Sequence, residues 1–208
     1  MSHSSFRRLF PLPLLLLVLA IQGSFLGRRA YAQLPNNMDG AASAFGQFTG
    51  NTSGNGVTDK PSRSVGALAT FRQSFKPWLG YEVNYSYTRF SEFYSNQPFA
   101  VQNNLHEVSG AYLAQGPKKF GFQPFAAAGA AWLIFFPTAS GGQRMDRQNR
   151  LGILYEVGVN YPLLTNAFGV RLQYRGLLYK TPDLGSPFLV TNTRRQTGEP
   201  TVGLYVHF

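Results

Sequence analysis

A chain of 208 residues is enough for one domain of ordinary size. Charged residues make up only 13%, about half of the ~25% usual in soluble proteins. The absence of cysteine excludes disulfides, thiolate metal sites, cysteine catalysis and lipoprotein anchoring, and suits a route through an oxidising periplasm.

The first element is a leader at residues 1–32. Arg7 and Arg8 supply the positive start, Leu12 to Leu19 the apolar run, and Ala30, Tyr31 and Ala32 a small-x-small cleavage site before Gln33. Its uninterrupted apolar stretch, Leu14 to Ile21, is too short for the ~20 residues of a membrane-spanning helix. The expected domains are therefore a signal peptide at 1–32 and a mature body at 33–208.

The net charge of +10 shrinks once the leader is set aside. Four of the 19 bases, Arg7, Arg8, Arg28 and Arg29, lie in it, so the excess over the nine acids falls from ten to six. The remaining bases are scattered or sit in connections. With no basic stripe interleaved with aromatics, nucleic acid is not an expected partner. Lipopolysaccharide or membrane headgroups fit better.

From Asp39 onward the chain shows no sustained helical period. It gives alternating segments near Asp39–Thr49, Ser64–Phe75, Trp78–Phe90, Asn104–Gln115, Phe122–Phe135, Leu151–Tyr161, Phe168–Lys180 and Arg195–Phe208. Their lengths approach those of tilted membrane strands. The connections at Gly50–Arg63, Ser91–Asn103, Pro137–Arg150 and Thr181–Arg194 are long and rich in Asn, Ser, Gly, Thr and Pro, whereas Lys76-Pro77, Gly116–Gly121 and Pro162–Ala167 are short. Gly50–Gly56 lacks the Lys-Ser/Thr of a phosphate loop and reads as a flexible outer loop.

Within the segments, side chains alternate between two faces. Leu151, Ile153, Tyr155, Val157, Val159 and Tyr161 form one row opposite Gly152, Glu156, Gly158 and Asn160. Phe168, Val170, Leu172, Tyr174 and Leu178 oppose Arg171, Gln173 and Arg175, while Leu79, Tyr81, Val83, Tyr85 and Tyr87 oppose Glu82, Asn84, Ser86 and Thr88. The first segment and the Ala126–Ala131 run declare no face. A soluble, lipocalin-like barrel would turn the apolar row inward. Three observations favour apolar-out, and the leader together with the terminal Phe208 is one of them. The polar row is poor in charge for a wet surface. Large aromatics stand near strand ends, as interfacial girdles do: Phe75, Trp78, Tyr161 and Phe168 on one rim, Tyr87, Trp132 and Tyr179 near the other.

With the apolar row outward, the mid-strand ions Arg72, Glu82, Glu107, Glu156, Arg171 and Arg175 point inward, joined by Arg195 and Glu199 if the last strand keeps its register past Pro200. Buried ions are costly unless paired, so this balanced set is expected to form a salt-bridge network filling the lumen, with Glu156 near enough to Arg171 and Arg175 for a bidentate pair. A permeation path or a catalytic carboxylate is the alternative. A general diffusion porin needs roughly twice as many strands.

Catalytic and metal signatures are not found. The mature chain has only His106 and His207, with neither HExxH nor Gly-x-Ser-x-Gly. No cofactor is expected. His106 and Glu107 are neighbours on opposite faces and cannot share a site without a bulge.

The last strand places Val202, Leu204, Val206 and Phe208 in one row. This pattern resembles the final strand of bacterial outer-membrane β-barrels, which in that family is the signal read by the outer-membrane assembly machinery. Over roughly residues 39–208 the chain resembles the small barrels of the OmpX, OmpA-transmembrane and opacity-protein type. The resemblance implies an all-β, eight-stranded antiparallel up-and-down transmembrane β-barrel, located in the bacterial outer membrane, and the missing catalytic motifs lead us to expect that it is not an enzyme. Such a barrel is a scaffold for surface interaction, adhesion or envelope integrity. Its four extracellular loops, with Phe93, Tyr94, Arg144, Arg147 and Arg150 exposed, would meet an external ligand. An outer-membrane lipid-modifying enzyme and a narrow ion-conducting pore are the competing readings.

Overall fold

A computed structural model describes residues 37–138, 145–165 and 167–208. The expected leader, its expected cleavage residues Ala30, Ala32 and Gln33, and Arg144 lie outside them. The strands are β1 (Met38–Thr49), β2 (Thr52–Gly54), β3 (Val57–Pro61), β4 (Ser64–Lys76), β5 (Leu79–Tyr94), β6 (Ala100–Gln115), β7 (Gln123–Pro137), β8 (Gln148–Thr165), β9 (Phe168–Lys180) and β10 (Arg194–His207). Eight of them run β5-β4-β1-β10-β9-β8-β7-β6 with antiparallel pairing, and a β5–β6 pairing closes the barrel. Closure leaves the eight-stranded wall without an unpaired edge, the condition for a sheet to stand in lipid.

Burial alternates residue by residue along β5, from buried Gly80 to buried Tyr94. Val65, Tyr112, Leu151 and Ile153 are among the large apolar side chains that stand outward, and polar groups such as Thr70, Asn84, Ser86 and Ser109 stand inward. The two undeclared segments also have faces: β1 turns Ser43, Phe45 and Gln47 inward, and β7 turns Phe125, Ala127, Ala131, Leu133 and Phe135 inward. The small inward residues of β7 leave volume in the lumen for long side chains from the opposite wall.

Several strands exceed their expected bounds at the outer end, the end of the long connections. β5 continues past Phe90 to Tyr94, β6 begins at Ala100, and β8 begins at Gln148. The Gly50–Arg63 connection, expected to be a flexible loop, contains the β2–β3 hairpin. It pairs with the top of β5 through Asp59↔Tyr94, Lys60↔Phe93 and Pro61↔Glu92. The Thr181–Arg194 connection folds a 3-10 turn at Pro187–Leu189 and buries Leu184 and Leu189. At the other end the Pro162–Ala167 turn is shorter than expected, because β8 runs through a register shift to Thr165.

Two aromatic assignments also change. Tyr179, expected in the outer girdle, is only 2% exposed in the interior, and Tyr94, expected on an exposed loop, is 4% exposed. Each shares the parity of an inward ion on its own strand, Arg175 and Glu82 respectively. Alternation along the strand overrides residue type.

Strand register is marked by aromatic rings laid over glycines directly opposite them. Phe45 covers Gly66, Phe125 covers Gly158, Tyr155 covers Gly176 and Tyr205 covers Gly169. In each case a Cβ on the glycine would strike the ring. The ring in turn covers backbone that glycine leaves bare. Pro200 brings no N–H to the ladder, and the β1–β10 pairing skips from Phe45↔Thr201 to Phe48↔Gly198 beside it. Pairing of β10 with β9 continues through Pro200↔Tyr174 to Arg194↔Lys180, so register is kept.

Candidate functional site: filled lumen and outer rim

The inward ions form three groups along the bore. Nearest the chain termini, Arg171 donates to Asn160 Oδ1 at 2.8 Å and pairs with Asp39 at 2.6 Å, with Tyr205 5.3 Å from its guanidinium. Mid-barrel, Arg72 pairs with Glu82 at 2.7 Å and lies 3.9 Å from the centre of the Phe125 ring. Asn84 donates to Glu82 at 2.8 Å. Beside them Arg175 reaches three carboxylates: Nη2 to Glu107 at 2.6 Å, Nε to Glu156 at 2.8 Å and Nη1 to Glu199 at 2.6 Å. Arg175 is fully buried. Its forked donors suit several acceptors at fixed angles, which a lysine ammonium cannot match.

At the outer end Arg195 pairs with Glu92 at 2.5 Å and with Asp59 of the β2–β3 hairpin. Tyr94 and Asn103 also donate to Glu92. One cation thus faces two buried carboxylates. Burial, reinforced by the Glu92 charge, pushes the Asp59 carboxyl up to about 7, although Arg195 pulls the other way. Val101, Leu105, Leu133, Phe135, Leu154, Leu177, Leu184 and Leu189 form one buried apolar cluster with Tyr94 and Tyr179.

All eight expected inner-row ions are buried on the inward face, but their pairing differs from the expectation. Glu156 meets Arg175 through one contact, and Arg171 turns to Asp39 and Asn160 instead. Arg195 belongs to the outer group, apart from Glu199. Three acids were missed: Asp39, Asp59 and Glu92. Among the described residues the set is therefore four arginines to seven carboxyl groups, without the expected balance. Parity from Glu82 would have located Glu92.

His106 stands on the outward face. Its Nδ1 lies 2.8 Å from the Tyr85 hydroxyl, and its ring stacks near Tyr87 and edge-on to Phe136. Glu107 and Ser109 are buried on the opposite face. Among the described residues no group of three or more His, Asp or Glu side chains is arranged to hold a metal ion. Val202, Leu204, Val206 and Phe208 all face outward, and Met38 and Phe208 exchange two backbone hydrogen bonds, at 3.1 and 2.9 Å.

Along the outer rim the exposed bases Arg63, Arg89, Arg147, Lys180 and Arg194 stand above the apolar belt. Arg63 lies over Phe48, Arg147 lies 4.4 Å from the centre of the Phe136 ring, and Arg89 donates to Gln102. Of the expected loop contacts, Phe93 is exposed, whereas Arg150 is half-buried and pairs with Asp183 at 3.2 Å.

A closed eight-stranded barrel with an apolar exterior, an ion-filled interior and long connections at one end is a small outer-membrane β-barrel. No family model matches the chain, and no curated protein matches it. Among solved structures it is similar to Neisserial surface protein A, at 17% identity and a TM-score of 0.56 over 82% of this chain and 97% of that one. It is also similar to Ail, the attachment invasion locus protein of Yersinia pestis, at 12% identity and a TM-score of 0.52 over 83% of this chain and 99% of that one. The similarity is one of fold.

Proposed function

We propose that the protein is a closed membrane scaffold that holds its outer connections ready for surface interaction and conducts no ions. The observation that carries this reading is the filled bore: Arg175, buried and spread over Glu107, Glu156 and Glu199, joins β6, β8 and β10 to β9 across the lumen. Opening a path would pull these buried pairs apart, and a buried charge that loses its partner is strongly destabilising. The outer connections are built on this plug, through the hairpin's Asp59 and the buried Leu184 and Leu189.

Fold analogy supplies the class of ligand. The Ail structure holds the heparin analogue sucrose octasulfate, and this chain presents Lys60 and Arg147 exposed at its outer end. A sulfated polysaccharide is the proposed outer ligand. Recordings from the refolded protein in planar bilayers should show no steady conductance. Cells displaying the protein should adhere to immobilised heparin more than cells displaying K60S/R147S. A sustained open channel would overturn the plug, and equal adhesion the ligand.

The lipid-modifying alternative is tested through His106. Its outward partner is a tyrosine, and the nearby Glu107 and Ser109 face away from it. A His106→Ala variant is expected to leave the lipid A of its host unchanged.

A further inference from the structure

On the outside of the barrel, where β8, β9 and β10 reach the outer rim, a cavity of about 580 Å³ is lined by Leu151, Ile153, Leu178, Lys180, Asn192 and Arg194 among others. Its walls are apolar: Leu151 is 78% exposed and Ile153 60%. Its head is cationic, because Lys180 and Arg194 are directly opposed on paired strands and both point outward. Directly opposed like charges destabilise a strand pair. Asp183 feels the Lys180 charge, but its carboxylate is engaged by Arg150 and Gln148. Arg194 has no carboxylate partner among the described residues. The other rim arginines differ: Arg63 and Arg147 lie on rings, and Arg89 holds Gln102.

The height of the pair fixes what it meets. Lys180 is twelve residues along β9 from Phe168 of the opposite rim, so a tilted strand carries it roughly 30 Å across, to the outer headgroup level. We infer that this groove is a binding site for a phosphorylated lipid of the outer leaflet. The phosphate sits between Lys180 and Arg194, and an acyl chain descends along Leu178 and Ile153. The anion relieves the repulsion between the two cations, and the groove supplies the apolar contact that a free anion lacks. The inference rests on the membrane fold and is independent of the heparin reading.

The test is native mass spectrometry of the refolded protein titrated with bisphosphorylated lipid A in neutral detergent. The comparisons are K180S/R194S, R89S as a rim control, lipid A stripped of phosphate, and inorganic phosphate as competitor. Heat-modifiable migration confirms that each variant is folded. The double variant should bind the phosphorylated lipid about 30-fold more weakly, since each basic residue at a membrane surface contributes a factor of about five and the two multiply. R89S should bind as the parent does, and dephosphorylated lipid should bind the parent as weakly as phosphorylated lipid binds the double variant. Retained affinity in K180S/R194S would overturn the site. So would an equal loss in R89S, or complete displacement by inorganic phosphate, which would leave the groove no part in recognition.

Discussion

Arg195 Nη1 lies 2.5 Å from Glu92 Oε1, a contact between residues 103 apart that spans strands separated by β4 and β1. The same guanidinium holds Asp59, so one side chain ties β10, the top of β5 and the β2–β3 hairpin together.

That tie carries a pH dependence. Asp59 titrates near 3.8 when free and about 7 when the hairpin is docked. Between those values the docked state binds more protons than the undocked one, so docking is strongest below pH 3.8 and weakens as pH rises through 7. Hydrogen exchange over Thr52–Pro61 in the refolded barrel should be slower at pH 5 than at pH 8. Asp59→Asn should remove the difference, and an exchange rate that falls with pH after correction for intrinsic chemistry would contradict it.

Arg175 holds the middle of the bore. Arg175→Met leaves Glu107, Glu156 and Glu199 without their common cation, and breaking a buried ion cluster this way costs about 3–5 kcal/mol. Urea unfolding in lipid vesicles, followed by tryptophan emission, should show that loss. Arg175→Lys keeps the charge but not the fork, and should fall between the parent and the methionine variant.

The two tryptophans report the orientation of the faces. Trp78 and Trp132 are about half exposed on the outward surface, near opposite rims. Lipids brominated high on the acyl chain should quench both, and bromine near the methyl ends should quench them less. Emission insensitive to brominated lipid would mean that the apolar face is not against acyl chains.

A ring over a glycine leaves no room for a side chain. In Gly66→Val the new Cβ meets both the Phe45 ring and the Tyr87 carbonyl, and strain of this kind costs typically 1–3 kcal/mol. Gly56→Val is the control for added bulk, though its φ of +76° adds backbone strain of its own in the hairpin turn. The folded, heat-modifiable fraction should fall in Gly66→Val. In Gly56→Val the barrel should stay folded and only the hairpin should loosen.

The barrel was legible because lipid demands a simple code. Rows such as Leu151, Ile153 and Val157 alternate without interruption, since the outer face accepts almost nothing but apolar side chains. The lumen follows no such code, so Tyr179 and Tyr94, apolar enough for either face, were misassigned by residue type. Glu156 with Arg175 was readable because the two face each other on adjacent strands. The reach of Arg175 to Glu107 was not, because it crosses the bore between strands that do not pair. Asp39 sits in a run of small residues that shows no face. Asp59 lies in a polar connection with no period to follow, and only the folded hairpin brings it to Arg195.

Inside-out polarity survives a shear of two residues between neighbouring strands, because every side chain keeps its side of the wall. The four ring-and-glycine pairs do not survive it: such a slide would drive Phe45, Phe125, Tyr155 and Tyr205 away from the gaps that receive them. They act as teeth that select one stagger, and with it one diameter and tilt, from a series that greasy-and-polar alternation alone would treat as equals.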